Sequence, residues 1–530
     1  MTHSASRHSL GSRREHVHAD VCVIGAGIAG LTAAVRIAAH SRLRVVVLES
    51  GTATALDHEA AMVGLDTVDD PTGMYQGIAR GRGIGGTSAK WAGKLLPLSP
   101  GDMAARPYLD QPGWPITPDD LSRYTREIEA MMGVDNSPYE HDQNPDLDPG
   151  RLLPTGMSDI VWRWPKRPTK ANHRIDHVLR HELERLNNLE IWTDATVGTL
   201  EIAEGRLTKV SAINHRGGEL TVAATSFVIA AGTLESTRLL LLADAQNEGC
   251  ISCTTDSLGR YFNDHFGVEV AVLRAGSMTP LNRALADRKV NRTVRHLHGE
   301  LSAGRQQATR SASAYFDFDA LFVENSAIAR ARAMIASLHA RDGAATLRHS
   351  VGLMRKLPAF GQALTWQTRH HQQFWSADAV INVKVWIEQR PIAANRLTLA
   401  ERRDSLNMPM LHVDLERTSD DEHTLQTARQ TIAHLWHTHS TLGSLDWSTL
   451  PERAIDAASE QAHPAGSLRM GHDPHMSVVG PTLRVHAISN VQIASAAVFP
   501  TSGSANPTFT IMQLAMRAAD DLLSQFRIAN

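Results

Sequence analysis

Six residues, Gly25-Ala26-Gly27-Ile28-Ala29-Gly30, follow directly on a β-branched apolar run at 20–24 and open an Ala-rich stretch at 31–40 that reads as a helix. A pyrophosphate can rest on such a strand, glycine turn and helix. Gly25 permits the tight turn, Gly27 removes the Cβ that would keep phosphates away, and Gly30 lets the helix lie close to the strand. The helix N-terminus then presents free N–H groups to the anion. A second apolar run at 44–48 ends in Glu49, 19 residues beyond Gly30, where a carboxylate can accept hydrogen bonds from an adenosine ribose. This spacing predicts a dinucleotide site and suits FAD and NAD alike.

Two later segments could bring main chain to the same ligand. Residues 189–197 and 222–230 read as further strands, the second running into Ala231-Gly232 and an apolar helix at 237–243. The stretch Gly81-Arg82-Gly83-Ile84-Gly85-Gly86-Thr87-Ser88-Ala89-Lys90-Trp91-Ala92-Gly93 is too rich in glycine for a helix or a strand interior. It must be a loop that presents its backbone, and a flat ring system is a guest it could hold.

Positioning such loops takes a large scaffold, and 530 residues with 42% apolar content can bury the cores of two interwoven domains. With 53 basic and 56 acidic side chains the net charge is -3, so no overall field points to nucleic acid or an anionic membrane, and a small molecule is the expected partner. Cys22, Cys250 and Cys253 are too few for a disulfide scaffold or structural zinc, so the chain is expected in the reducing cytoplasm and without a metal. No apolar run of about 18 residues occurs, so no membrane span is expected. The first 18 residues, rich in Ser, Arg and His, are expected to form a mobile tail. Extended runs at 314–323 and 379–388 and a helix at 420–435 should carry the middle of the chain, with Ala- and Arg-rich helices at 326–356. Residues 366–375, including Arg369, His370 and His371, read as a solvated basic face, and 135–150 as a connecting loop.

Together with His463-Pro464-Ala465-Gly466-Ser467-Leu468-Arg469-Met470-Gly471 and Val498-Phe499-Pro500-Thr501-Ser502-Gly503-Ser504-Ala505-Asn506-Pro507-Thr508, these motifs make the chain resemble the glucose-methanol-choline oxidoreductases. The resemblance covers most of 19–268 and 380–530. Gly113-Trp114-Pro115-Ile116, Leu258-Gly259-Arg260 and Asp264-His265 also look like landmarks of that family. The resemblance implies an α/β fold in which a Rossmann-like FAD-binding domain (19–100, 172–268 and 456–530) is interleaved with a substrate domain built on an antiparallel sheet (101–171 and 269–455).

It further implies FAD at Gly25, Gly27, Gly30 and Glu49, with Gly85, Gly86, Thr87 and Ser88 near the isoalloxazine and the backbone of Val197 near the adenine. Ile28, Ala29, Ser50, Arg82, Ala231, Gly232, Ser495, Ala496, Pro507 and Thr508 complete the implied cofactor set. The pyranose oxidases, which the chain resembles at 87–91, tie FAD through a histidine where Lys90 stands here, so noncovalent FAD is expected. Many members have an acidic residue where this chain has Ser495, which leaves a hydroxyl or the backbone to make that contact.

Oxidising an alcohol means taking the hydroxyl proton while a carbon-bound hydride leaves, and histidine is the side chain suited to accept a proton near neutral pH. Among 27 histidines the family motif singles out His463 as the base, with Asn506 as the partner that hydrogen-bonds the substrate oxygen. Asn506 also reads as a helix cap, with Pro507 at the first position of a helix reaching about residue 526. The helix start would then place its partial positive charge by the reduced ring. Arg469 and Met470 are read as structural. Gln389 reads equally as a substrate contact and as a solvated strand residue.

The expected activity is FAD-dependent oxidation of a hydroxyl on a sugar, glycoside or amino sugar, an aminoglycoside intermediate being one lead. The alternatives are an FAD-containing lyase of the hydroxynitrile type and an oxidoreductase for a non-sugar alcohol. Neither the electron acceptor nor the oligomeric state is written in these motifs.

Overall fold

A computed structural model describes residues 6–53, 68–69, 80–148, 151–321, 333–338, 340–354, 357–377 and 379–529. The apolar runs flanking the glycine turn build an eight-stranded sheet in the order Ser6–Ser9, Leu189–Thr193, Val45–Leu48, Arg14–Ile24, Glu219–Ile229, Arg206–Ile213, Thr196–Ala203. The first five of these pair in parallel and the last two antiparallel. Val491–Ile493 lies parallel to the end of Glu219–Ile229, so a late segment completes the sheet beside an early one.

Successive strand residues point to opposite faces, which explains why these strands are apolar throughout. Val21, Val23, Val45 and Val47 enter one core and Cys22, Ile24, Val46 and Leu48 the other. The helices Ile28–Ala39 and Thr508–Ala529 pack together in the first core, through Leu31, Ala34, Met512, Ala515 and Ala519. Arg36 joins them, bonding both Asp520 oxygens at 2.7 and 3.1 Å.

A second sheet of seven strands is antiparallel throughout, in the order Gly443–Trp447, His265–Ala275, Val380–Glu388, Ala314–Leu321, His298–Leu301, Ile160–Arg163, with Ser459–Glu460 beside the start of His265–Ala275. Its side chains alternate between faces, with one irregularity between Glu269 and Ala271. Phe266, Val268, Val383, Val385, Ile387, Phe316 and Phe318 face a core closed by Leu425, Ala428, Ile432, Leu435 and Trp436 of the helix Ser419–His439. His265, Gly267, Trp386, Glu388, Tyr315 and Asp317 occupy the opposite face, directly paired across the strands.

The extended runs and the helix expected in the middle of the chain are present as Ala314–Leu321, Val380–Glu388 and Ser419–His439. The run at 189–197 divides into two strands because Asp194, at φ 55°, turns the chain between them. Residues 322–323 of the expected extended run, and 326–332, 339 and 355–356 of the expected helical stretch, lie outside the described residues, and Gly343–Met354 and Leu357–His370 are helices. One expectation is corrected: residues 6–18 are not a tail. Ser6–Ser9 adds an edge strand to Leu189–Thr193, His8 stacks on Trp192 at 4.6 Å, and Leu10 is fully buried. Arg14–Ile24 begins before the expected residue 20 because Glu219–Ile229 supplies partners along its whole length.

A buried ion pair joins the second sheet to the loop before the last helix. Arg106, 3% exposed, donates to both oxygens of Glu388, fully buried, at 2.6 and 2.7 Å. One oxygen of Glu388 also accepts from the backbone N–H groups of Ser502 and Gly503 at 3.0 Å, and the other from Ser313 at 3.3 Å. Removing one member of such a pair strands a charge, so Arg106→Met should cost about 3–5 kcal/mol of stability in chemical denaturation. A cost below about 1 kcal/mol would mean that the backbone donors alone suffice to hold the carboxylate.

Candidate active site

A cavity of about 610 Å³ lies where the carboxyl ends of the parallel strands meet the polar face of the second sheet. The glycine turn forms one end. Gly25 sits at φ 105°, and a Cβ there would lie 2.6 Å from the carbonyl oxygen of Ala230. A Cβ on Gly30 would lie 1.9 Å from the Gly25 oxygen, so this glycine serves the packing of helix on strand and does not line the cavity. At Gly27 and Gly232, which do line it, a Cβ would meet nothing within 4 Å. Bare backbone thus borders open space where phosphates would lie. The helix Ile28–Ala39 starts there with no side-chain cap, leaving its first N–H groups to a ligand.

Glu49, 6% exposed, holds three loops at this end. Its carboxylate accepts from the backbone N–H groups of Ala26, Gly51 and Gly83 at 2.9, 2.8 and 2.9 Å. Each carboxylate oxygen has two acceptor sites, so capacity remains for a ribose hydroxyl. The loop at 81–93 is fastened rather than free. Gly85 N–H donates to the Ala26 carbonyl at 2.9 Å, and a Cβ on Gly86 would come within 2.9 Å of Gly27 Cα. Ser88 donates to the Gly85 carbonyl at 2.6 Å and accepts from Ile175 N–H at 3.1 Å. Gly85 itself turns away from the cavity, toward Asp176.

Of the residues singled out from sequence, Gly25, Gly27, Ile28, Ala29, Glu49, Ser50, Arg82, Gly86, Thr87, Ser88, Val197, Ala231, Gly232, His463, Ser495, Ala496, Asn506, Pro507 and Thr508 line this one cavity. Ser495 uses its hydroxyl to accept from Ala497 N–H at 3.2 Å. Gln389 is a correction. It is fully buried outside the cavity lining, donating its amide to the Glu416 carbonyl at 2.8 Å, because the chain turns inward once the strand ends at Glu388. The last helix starts at Thr508, with Ile511 N–H bonding the Pro507 carbonyl, so Asn506 is released from the capping role.

Asn506 instead meets His463. A hydrogen-bond chain there fixes both imidazole tautomers. His265 Nε2 lies 2.8 Å from the Gly503 carbonyl, which only accepts, so that nitrogen carries hydrogen. Neutral His265 then offers Nδ1 as an acceptor, and His463 Nδ1, 3.0 Å away, must be the donor. That leaves His463 Nε2 bare toward the cavity, where Asn506 Nδ2 donates to it at 3.1 Å. Asp264 accepts from the backbone N–H groups of His463 and His265 at 2.9 and 2.7 Å, aligning the loop that carries His463 with the strand that carries His265. Burial, reinforced by His265 and Lys94, holds the His463 imidazolium well below the usual histidine range, and burial also lowers His265. Both rings are neutral at neutral pH.

The function of His265 was not legible as a contact, although Asp264-His265 stood out as a motif. Lys94, Tyr315, Trp386 and Gln461 also line the cavity and were not anticipated. The strict alternation of 380–388 was the available signal for Trp386, but the residues facing it come from remote strands.

Nitrogen NMR of the histidine side chains should find the hydrogen of His463 on Nδ1 at neutral pH. His265→Phe should mix the two tautomers. An unchanged tautomer in that variant would show that His265 does not set it.

Residues 20–259 match the family described as FAD binding domain, and residues 391–515 that described as GMC oxidoreductase. The fructose dehydrogenase large subunit of Gluconobacter japonicus is 24% identical over 500 residues, 86% of this chain and 83% of that relative. C-glycoside 3-oxidase of Microbacterium trichothecenolyticum is 22% identical over 450 residues, 82% and 74% of the two chains. A formate oxidase structure from Aspergillus oryzae shares the fold, with a TM-score of 0.59 at 16% identity, covering 97% of this chain and 99% of that one. Glycine turn, flanking sheets and C-terminal motifs agree with these matches, and the chain is an FAD-dependent alcohol oxidoreductase that carries an FAD-binding domain and a GMC oxidoreductase C-terminal domain.

Proposed function

We propose that this enzyme oxidises a hydroxyl on a sugar, glycoside or amino sugar to a carbonyl, with His463 as the base and FAD held without a covalent link. The observation that carries the reading is the bare Nε2 of His463, turned to the cavity beside Asn506. The similarity to a fructose dehydrogenase subunit and a C-glycoside oxidase over more than four-fifths of this chain supports a carbohydrate.

FAD would lie with its pyrophosphate on Gly25, Gly27 and the start of the helix Ile28–Ala39, its ribose at Glu49 and its ring near Gly86, Thr87 and Ser88. Bound there, it supplies the acceptor for the hydride. Lys90 lines the cavity where some relatives use histidine, and its ammonium is not a nucleophile while protonated. This supports a dissociable cofactor, released on mild denaturation.

The protein performs the proton half of the reaction. The substrate O–H displaces the Asn506 N–H from His463 Nε2 and gives its proton to that nitrogen as the carbon–oxygen double bond forms. Asn506 turns its N–H to the substrate oxygen and holds the carbon against the acceptor. The charge arising on His463 is shared along the Nδ1–H bond to His265, whose own Nε2–H rests on the Gly503 carbonyl.

His463→Ala should retain the yellow cofactor and slow its anaerobic bleaching by sugars about 10²- to 10⁴-fold, the usual contribution of a positioned base. Bleaching at the wild-type rate would refute the assignment. Because burial lowers the His463 pKa, the reactive neutral form persists as pH falls. The bleaching rate in the native enzyme should therefore stay level through about pH 6.5, where an unperturbed histidine titrates. A break centred there would contradict the buried base.

A further inference from the structure

We infer that the wall formed by Trp386, Tyr315 and Lys94 is a recognition subsite for an uncharged carbohydrate ring, built to refuse an ammonium group next to the reacting carbon. This rests on the function proposed above and narrows its substrate class. Trp386 and Tyr315 stand directly opposite each other on adjacent strands, with ring centroids 6.0 Å apart and planes inclined by 26°. Both face the cavity. They present a continuous aromatic surface against which the C–H face of a pyranose can lie.

The indole is held flat. It lies across Gly267, where a Cβ would fall 2.1 Å from its ring, and its Nε1–H donates to Asp317 at 2.9 Å. Gln461 borders the same spot, its amide nitrogen 3.1 Å from that Cβ position. Gly267 is two residues beyond His265 on the same strand face, and Gln461 two residues before His463. The aromatic wall is therefore continuous with the reacting pair.

Lys94 supplies the polar part and the selection. Its ammonium, 15% exposed, donates one hydrogen to Asp317 at 2.8 Å, leaving two for substrate oxygens. Asp317 is already heavily engaged, because one oxygen accepts from Trp386 while the other is shared by Lys94 and His296, the latter at 3.2 Å. Among the described residues the carboxylates lining the cavity are Glu49 and Glu235. Glu49 holds the glycine loops at the far end, and Glu235 lies 3.5 and 3.8 Å from Arg82 and Arg80. An ammonium brought to the aromatic wall would meet the Lys94 ammonium, while the Asp317 carboxylate beside it is already paired with Lys94 and shared with His296. Like-charge opposition of this kind excludes ligands more than it stabilises the accepted one.

The test uses the native holoenzyme with neutral pyranoses and their amino-sugar counterparts. Binding is read from the perturbation of flavin absorbance, and reaction from anaerobic bleaching. At a pH where the amine is protonated, neutral sugars should bind at least about tenfold tighter. Raising the pH until the amine is neutral should recover most of that difference without any substitution. Lys94→Met should shrink the discrimination to about threefold or less, and Trp386→Ala should weaken neutral and amino sugars together by about tenfold. Protonated amino sugars binding as tightly as neutral ones, or a Lys94→Met enzyme with unchanged discrimination, would overturn the subsite. So would bleaching by simple alcohols when no carbohydrate perturbs the flavin, an outcome that leaves the oxidoreductase intact. A flavin that no alcohol of any class bleaches would instead refute the proposed function itself.

Discussion

The geometry of the reacting end depends on one buried carboxylate. Glu388 ends a strand of the substrate sheet, takes both arms of Arg106, and still accepts from the main chain of Ser313, Ser502 and Gly503. Fixing Gly503 fixes its carbonyl, that carbonyl selects the tautomer of His265, and His265 in turn orients His463. Buried ion pairs of this type add little net stability relative to an apolar substitute. Their value here is positional, since five donors converging on two oxygens leave the loop at 501–506 one arrangement.

The cofactor end uses the same device. Glu49 gathers backbone donors from three glycine-rich turns, and glycine is required because the main chains pass too close for side chains. A carboxylate at each end thus organises loops that have no regular secondary structure of their own. The two sheets act as rigid mounts for those loops, and neither contributes a base from its interior.

What could be read from the sequence follows from how local each feature is. The turn at 25–30 lies within a single strand–helix unit, so its spacing alone predicts its shape, and Glu49 follows on the next strand. His463 and Asn506 were legible only through the motifs around them, as their pairing spans 43 residues. Gln389 was misplaced because strand parity ends at Glu388, and the turn inward depends on the distant Glu416 carbonyl. The polar residues 6–18 resembled a tail because their pairing partners lie near residues 190 and 220. Trp386 and Tyr315 were hidden for a related reason. Each sits in a plain alternating run, and only the register between strands makes them neighbours.

The placement of Val491–Ile493 and the helix Thr508–Ala529 beside the earliest strands and helix bears on how the enzyme matures. During synthesis the dinucleotide turn emerges hundreds of residues before the segments that complete its sheet and close its cavity. Such distant pairings form slowly and leave apolar surface uncovered meanwhile. Capture of the flavin must then wait until those late segments have been made and have docked.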